Sequence, residues 1–282
     1  MGDMPFGLCV NSSTLWCGEP PLVEMIRVAS EAGFGGYEPW VKELDAYCAE
    51  GGTLAELAKR FSDAGLRVMN LIGFFAWAVD DPAERAEGLE EARRNFAQAQ
   101  ALSCPFVAAP PWHLVDERVV DLLPIAERYA ALVDIARDFG VVPLLEYWGH
   151  SKTLCRLGEA LLVLAESGRT EGRILSDVFH TYKGSGSVDA MRLLSGDSLG
   201  LLHLNDYPSS PAPAVITDAA RVYPGDGVAP LKRILSDLAR NGYRGMLSLE
   251  LFNETYWAQT PETVARAGIA KVRAVVEQAL AG

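Results

Sequence analysis

Eight short apolar runs recur along the chain, at residues 6–10, 36–40, 67–72, 105–109, 142–148, 173–180, 199–207 and 246–252. They lack the strict polar alternation of a strand with one wet face, so they read as strands buried on both faces. Helical patterns fill the intervals. Pro20 and Pro21 open the first helix, which Gly33 closes, and others are expected near 53–64, 82–101, 117–139, 157–166, 188–194, 228–239 and 261–280. Strands separated by helices predict repeated βαβ units with a parallel sheet. Eight units fit an α/β fold closed into a single-domain (β/α)8 TIM barrel over residues 1–282. A doubly wound open sheet is the second choice, but no Gly-x-Gly-x-x-Gly follows the first strand, which speaks against a dinucleotide site.

In a parallel barrel the C-terminal ends of all strands open into one mouth. Four runs carry metal-binding side chains near that end: Glu146, Asp177, His203 and Glu250. Three carboxylates and an imidazole form an oxygen-rich set suited to one divalent ion, Mn2+ first, with Mg2+, Co2+ or Zn2+ as alternatives. An ion held by protein on one side keeps positions open for substrate oxygens.

Other residues fall at the same end. His180 stands three residues after Asp177, where it can donate to a substrate oxygen, orient a ligand, or simply satisfy a carbonyl. Arg221, in the long loop after strand seven, can reach a hydroxyl-rich or anionic substrate or pair with Asp218 or Asp226. His150 and Lys152 follow Glu146, and Trp112 and His113 follow strand four. Phe74, Phe75 and Trp77 offer an apolar wall for the carbon face of a sugar, or a packing cluster. Glu38 lies in strand two, where position alone does not say whether it faces inward.

The net charge of −12 argues against a nucleic-acid partner. The five cysteines are odd in number and form no Cys-x-x-Cys pair, which suits a reducing cytoplasm and small apolar core roles. No basic, apolar leader opens the chain, so no secretory signal is expected. The longest stretch without Asp, Glu, Lys or Arg, residues 95–115, holds Gln98, Gln100 and three prolines, so no membrane span is expected either.

With Glu146 at the end of strand five, Asp177-Val178-Phe179-His180 at strand six, His203-Leu204-Asn205-Asp206 at strand seven, Glu250 at strand eight and the turn at residues 224–227, the chain resembles the xylose isomerase-like TIM-barrel superfamily. The likeness is to its sugar isomerase and epimerase branch, which includes D-tagatose 3-epimerase, hydroxypyruvate isomerase and inosose dehydratase. It implies that Glu146, Asp177, His203 and Glu250 bind the metal, and that Glu146 and Glu250 exchange a proton on opposite sides of a bound ketose. Independently of the family, a cation on adjacent oxygens stabilises the enediolate left when a proton beside a carbonyl is removed. The expected activity is therefore a metal-dependent sugar isomerase or epimerase acting on a ketose, keto-inositol or related derivative. Homodimers or homotetramers are expected by the same likeness.

Two positions depart from the ketose epimerases. Lys152 stands where those enzymes have an acidic residue six positions after the strand-five glutamate, and Ser209 stands where they have an arginine, the nearest here being Arg221. These departures point away from a free-ketose 3-epimerase and leave a keto-inositol, an oxidised glycoside or an acidic sugar derivative open. A dehydratase or lyase on the same scaffold, a non-catalytic sugar-binding barrel, and a DNA-repair endonuclease of the same superfamily are the alternatives. Four histidines and an acidic surface suit the last of these poorly.

Overall fold

A computed structural model describes residues 4–281. Eight parallel strands form one sheet: β1 (Gly7–Asn11), β2 (Gly36–Glu38), β3 (Arg67–Val68), β4 (Phe106–Ala109), β5 (Val142–Glu146), β6 (Arg173–Asp177), β7 (Leu199–Leu204) and β8 (Met246–Leu249). Their order is β3-β2-β1-β8-β7-β6-β5-β4. Closure into a barrel comes from the segment after β3: the Leu71 amide donates to Phe106 O at 3.1 Å, and the Ala108 amide donates to Leu71 O at 2.9 Å. The fold is the expected single-domain TIM barrel.

Residues two apart on a strand face the same side. This period sorts the chain into a lumen and an outer layer. Cys9, Ile72, Ala108, Leu144, Leu175, Leu201 and Met246 pack together inside the barrel. The intervening Val10, Leu145, Ile174, Leu202 and Leu247 join the larger core under the helices. One step beyond the lumen layer toward the C-terminal end, the same faces carry Asn11, Glu38, Glu146, Asp177 and His203, all buried. The apolar plug thus forms the floor of the mouth, and the polar residues form its lining.

The helices broadly follow expectation. α1 (Leu22–Ala32) ends at Gly33, whose φ of 94° suits glycine in a left-handed cap. α2 (Val41–Ala49) is an additional helix ahead of α3 (Leu54–Asp63), its first turn closed by Glu43 accepting from the Trp40 amide at 2.9 Å. α4 (Pro82–Ala101) starts at the Asp81 cap. α5 spans Leu123–Arg137, shorter than expected because Pro124 sits in its first turn. α6 is Leu157–Glu166, as read.

The run at 173–180 divides: β6 stops at Asp177 and α7 (Val178–Ser185) begins at once. The stretch at 188–194 folds only as a 3-10 turn, Asp189–Leu193. α8 (Leu231–Arg240), α9 (Glu254–Trp257) and α10 (Pro261–Leu280) complete the chain. No helix among the described residues is long and apolar enough to cross a membrane.

Candidate active site and metal centre

Asp177 is both the last residue of β6 and the N-cap of α7. One carboxylate oxygen, Oδ1, accepts from the His180 amide at 2.8 Å, which fixes the side chain and leaves Oδ2 facing the mouth. In register beside it on β7 is His203, followed in the next lateral position by Ser248 of β8. His203 Nδ1 lies 3.7 Å from Asp177 Oδ2 and 3.1 Å from Glu250 Oε2. Yet Nδ1 is buried and makes no hydrogen bond. The three ligand atoms of Asp177, His203 and Glu250 lie within 4.8 Å of one another.

A buried imidazole nitrogen aimed at two carboxylates without bonding to either fits a shared cation. Glu146 of β5 is also buried and faces the same cavity. A divalent ion therefore fits this set: Asp177, His203 and Glu250 would hold it, with Glu146 as the fourth candidate ligand.

The cavity measures about 280 Å³. Trp40, Phe74, Trp148 and Phe252 form its apolar wall, and Glu146, His150, His180, Asp218, Arg221 and Glu250 its polar one. A larger groove, about 520 Å³, lies beside α1 and α2. Its carboxylates are Glu19, Glu43 and Glu50, but no histidine among the described residues lines it, and Glu43 accepts from Ser12, Trp16 and the Trp40 amide.

Arg221 is fully buried, not a surface arginine. Its Nη1 donates to Asp177 Oδ2 at 2.6 Å and Glu250 Oε2 at 2.8 Å. Its Nη2 donates to Asp218 Oδ1 at 2.5 Å and to His180 Nε2 at 3.1 Å. Asp226, the other expected partner, pairs with Lys271 instead. Phe179 and Phe252 lie 4.8 and 5.2 Å from the guanidinium carbon.

The loop bearing Arg221 is tied back by Asp206, whose carboxylate accepts from the amides of Tyr207, Gly225, Gly227 and Ala229. A Cβ on Gly227 would sit 2.3 Å from Asp206 Oδ1 and from Tyr207 O, so only glycine admits this approach. The segment 203–206 thus supplies three functions. His203 faces the cation site. Asn205 donates to Asp177 Oδ2 at 3.1 Å. Asp206 anchors the loop.

The charges perturb one another strongly. Burial pushes Glu146 up to about 8. Burial also raises Glu250, against the pull of His203 and Arg221. Burial would raise Asp177 too, but Arg221, with His180 and His203, holds it well below the usual carboxylate range. Burial opposes charge on His203, yet Glu250 and Glu38 lift it well above its ordinary value. His180 is pushed down to about 4 by burial, so at neutral pH it is uncharged and accepts from Arg221 at Nε2. Its Nδ1 then carries the proton and has no partner.

The structure therefore brings together Glu146, Asp177, His180, His203, Arg221 and Glu250. His113 and Lys152, expected near the substrate, do not line the cavity. His113 has a left-handed backbone (φ 69°) and its ring pairs with Glu84 on the surface. Lys152 is exposed, its amide donating to Val115 O and its Nζ to Asp116 O at 3.0 Å, so the turn after β5 carries it outward. Of the aromatic cluster, Phe74 lines the cavity, whereas Phe75 and Trp77 pack against Phe96 and Tyr129 in the core.

Sequence reasoning gave no site role to Asn11, Trp40 or Phe252, named Asn205 only within the motif at residues 203–206, and named Asp218 only as a partner of Arg221, a pairing the structure shows. Asn11 donates to Glu250 Oε1 at 3.0 Å and accepts from Trp40 Nε1 at 2.9 Å. A signal was present for Asn205, which shares the face of His203 by the two-residue period.

A family model described as the xylose isomerase-like TIM barrel matches residues 26–275. The chain belongs to this family. An inosose isomerase of Halalkalibacterium halodurans is 28% identical over 261 residues, covering 90% of this chain and 91% of that protein. A 3-dehydroshikimate dehydratase of Pseudomonas aeruginosa is 28% identical over 253 residues, covering 84% of this chain and 37% of that protein. The crystal structure of an IolI protein with a bound zinc atom superposes with a TM-score of 0.88 at 22% identity, covering 98% of this chain and all of that one, which shows the shared fold. Within this xylose isomerase-like family, the chain is an enzyme of the isomerase, epimerase and dehydratase group.

Proposed function

We propose that this protein is a divalent-metal-dependent isomerase or epimerase of an uncharged polyol ketone, a keto-inositol or a closely related sugar. The observation that carries the reading is the buried cluster of Asp177, His203 and Glu250, with Glu146 on the same cavity and His203 Nδ1 uncommitted. A divalent ion held there would supply Lewis-acid neutralisation of charge on the substrate oxygens. Mn2+ is our choice for so oxygen-rich a set.

The side chains supply the rest. One of Glu146 and Glu250 takes the proton from the carbon beside the carbonyl. For epimerisation the other returns one to the opposite face of that carbon; for isomerisation a proton returns to the former carbonyl carbon while the hydroxyl proton passes from one oxygen to the other. Burial keeps the proton affinity of both high, which suits a carboxylate that must act as base and then as acid. His180 Nδ1 provides a donor to a substrate oxygen. Trp40, Phe74, Trp148 and Phe252 cover the carbon face of the ring and exclude water.

The preference for an uncharged substrate is supported by Arg221. It is the one arginine or lysine lining the cavity among the described residues, and its Nη1 and Nη2 are engaged by Asp177, Glu250, Asp218 and His180. Among the described residues lining the cavity, no uncommitted basic side chain is left to pair with a carboxylate. The unpaired cysteines accord with a reducing, cytoplasmic setting.

A dehydratase is the second reading, supported by the 3-dehydroshikimate dehydratase relative. The same proton abstraction followed by loss of a β-hydroxyl as water would give it. The test is incubation of the Mn2+-loaded protein with keto-inositols, ketoses and 3-dehydroshikimate in deuterated water. Deuterium beside the carbonyl with the carbon skeleton and hydroxyls retained supports isomerisation. Loss of water supports the dehydratase, and no exchange into any of them refutes both.

A further inference from the structure

Glu38 does not line the cavity, yet it is fully buried and faces the back of the cation site. Its Oε2 lies 3.2 Å from His203 Nε2 and accepts from Asn70 Nδ2 at 2.8 Å. The opposite ring nitrogen, Nδ1, is the one near Asp177 and Glu250. An imidazole can offer a lone pair at one nitrogen only if its remaining proton sits on the other. A carboxylate at Nε2 holds the proton there, fixes the ring plane and makes Nδ1 more basic.

Asn70 anchors Glu38 from the segment after β3. The carboxylate is thus held by β2, tied to its neighbour, and cannot follow the imidazole if the ring turns.

We propose that Glu38 is a positioning residue for the metal centre: it sets the Nε2–H tautomer of His203 and thereby the affinity for a divalent cation. The inference rests on the metal reading above and adds a residue outside the ligand set. In Glu38→Gln the carboxamide keeps the size of the side chain but removes the charge and can present N–H to Nε2. That arrangement favours a proton on Nδ1, the wrong nitrogen for binding. Glu38→Asp keeps the charge and retracts it.

The experiment is competition for Zn2+ between a chromophoric chelator and the wild type, Glu38→Gln, Glu38→Asp, His203→Ala and the double variant Glu38→Gln/His203→Ala. Nitrogen-15 spectra of the imidazoles, with His203 assigned by its loss in His203→Ala, report the tautomer without reference to activity. We expect Glu38→Gln to bind Zn2+ about 10–100-fold more weakly, Glu38→Asp to fall between it and wild type, and Glu38→Gln to cost nothing further once His203 is gone. The zinc-loaded wild type should show the proton on Nε2. Unchanged affinity in both Glu38 variants, or an equal loss in the His203→Ala background, overturns the inference. If Glu38→Gln does not fold, Glu38→Asp decides by the same comparison. Zn2+ binding in the wild type that is lost in His203→Ala but untouched at Glu38 leaves the metal centre standing and removes only Glu38. No Zn2+ binding in the wild type overturns the metal reading and this inference with it.

Discussion

Replacing Arg221 by methionine should unlock the site's electrostatics in a way that can be measured without a substrate. The side chain is fully buried and bonds to Asp177, Asp218 and Glu250 at 2.5 to 2.8 Å. Methionine keeps an unbranched apolar stem between Phe179 and Phe252 but leaves buried carboxylates without their cation. Removing one partner of a buried ion pair costs about 3–5 kcal/mol. At roughly 2–4 °C per kcal/mol for a large domain, the melting temperature should fall by about 6–20 °C.

The pH dependence gives a second handle. Burial acts to raise Asp177, and Arg221 overcomes it, so the folded carboxyl titrates below its unfolded value. Stability from a depressed carboxylate is fully present above the unfolded pKa, about 3.9, and is lost as pH falls through the folded value. Without Arg221, only His180 and His203 remain to oppose burial at Asp177. Its folded pKa then rises, and the variant recovers part of the lost stability, relative to wild type, on acidification. The gap between the two proteins should be widest near neutrality and narrow toward pH 4. Urea unfolding at several pH values, with a chelator present so that no metal substitutes for the guanidinium, measures it. A gap below about 1 kcal/mol, as for an exposed pair, or one that does not narrow in acid, would refute the reasoning.

Other outcomes follow from the same geometry. Glu146→Gln and Glu250→Gln should each slow deuterium exchange into substrate by about 10²–10⁴-fold while the fold is kept; normal exchange in both would remove the acid/base assignment. Burial takes Glu146 to about 8, and Glu250 with Glu38 outweighs burial to raise His203, so both hold protons at neutral pH without metal. Cation binding should therefore release protons and strengthen as pH rises toward about 8, which calorimetry in buffers of differing ionisation enthalpy would show; a pH-independent affinity would contradict it. His113→Ala and Lys152→Ala, which alter exposed groups outside the cavity, should leave kcat and KM unchanged and move stability by no more than about 0.5 kcal/mol. A lowered kcat in either would mean that the side chain reaches the substrate after all.

The barrel and the floor of its mouth are legible in the residues alone, because both depend on local order. Short apolar runs with helices between them leave few ways to bury both faces of a sheet, and the two-residue period puts Glu146 above Leu144, Asp177 above Leu175 and His203 above Leu201. The split of 173–180 was harder to read. Val178 and Phe179 are as apolar as a strand requires, and the capping bond from the His180 amide to Asp177 marks the start of α7 instead. Which loop residues enter the site depends on how the chain packs in three dimensions. His113 and Lys152 stand close to strand ends in the chain, yet a left-handed residue and a bond to Val115 direct them outward. Arg221 and Asp218 lie far along a loop, yet Asp206 draws that loop back over the mouth. Glu38 meets His203 only because barrel closure sets β2 across the lumen from β7. Such contacts join residues far apart in sequence, and no local pattern of propensity or spacing encodes them.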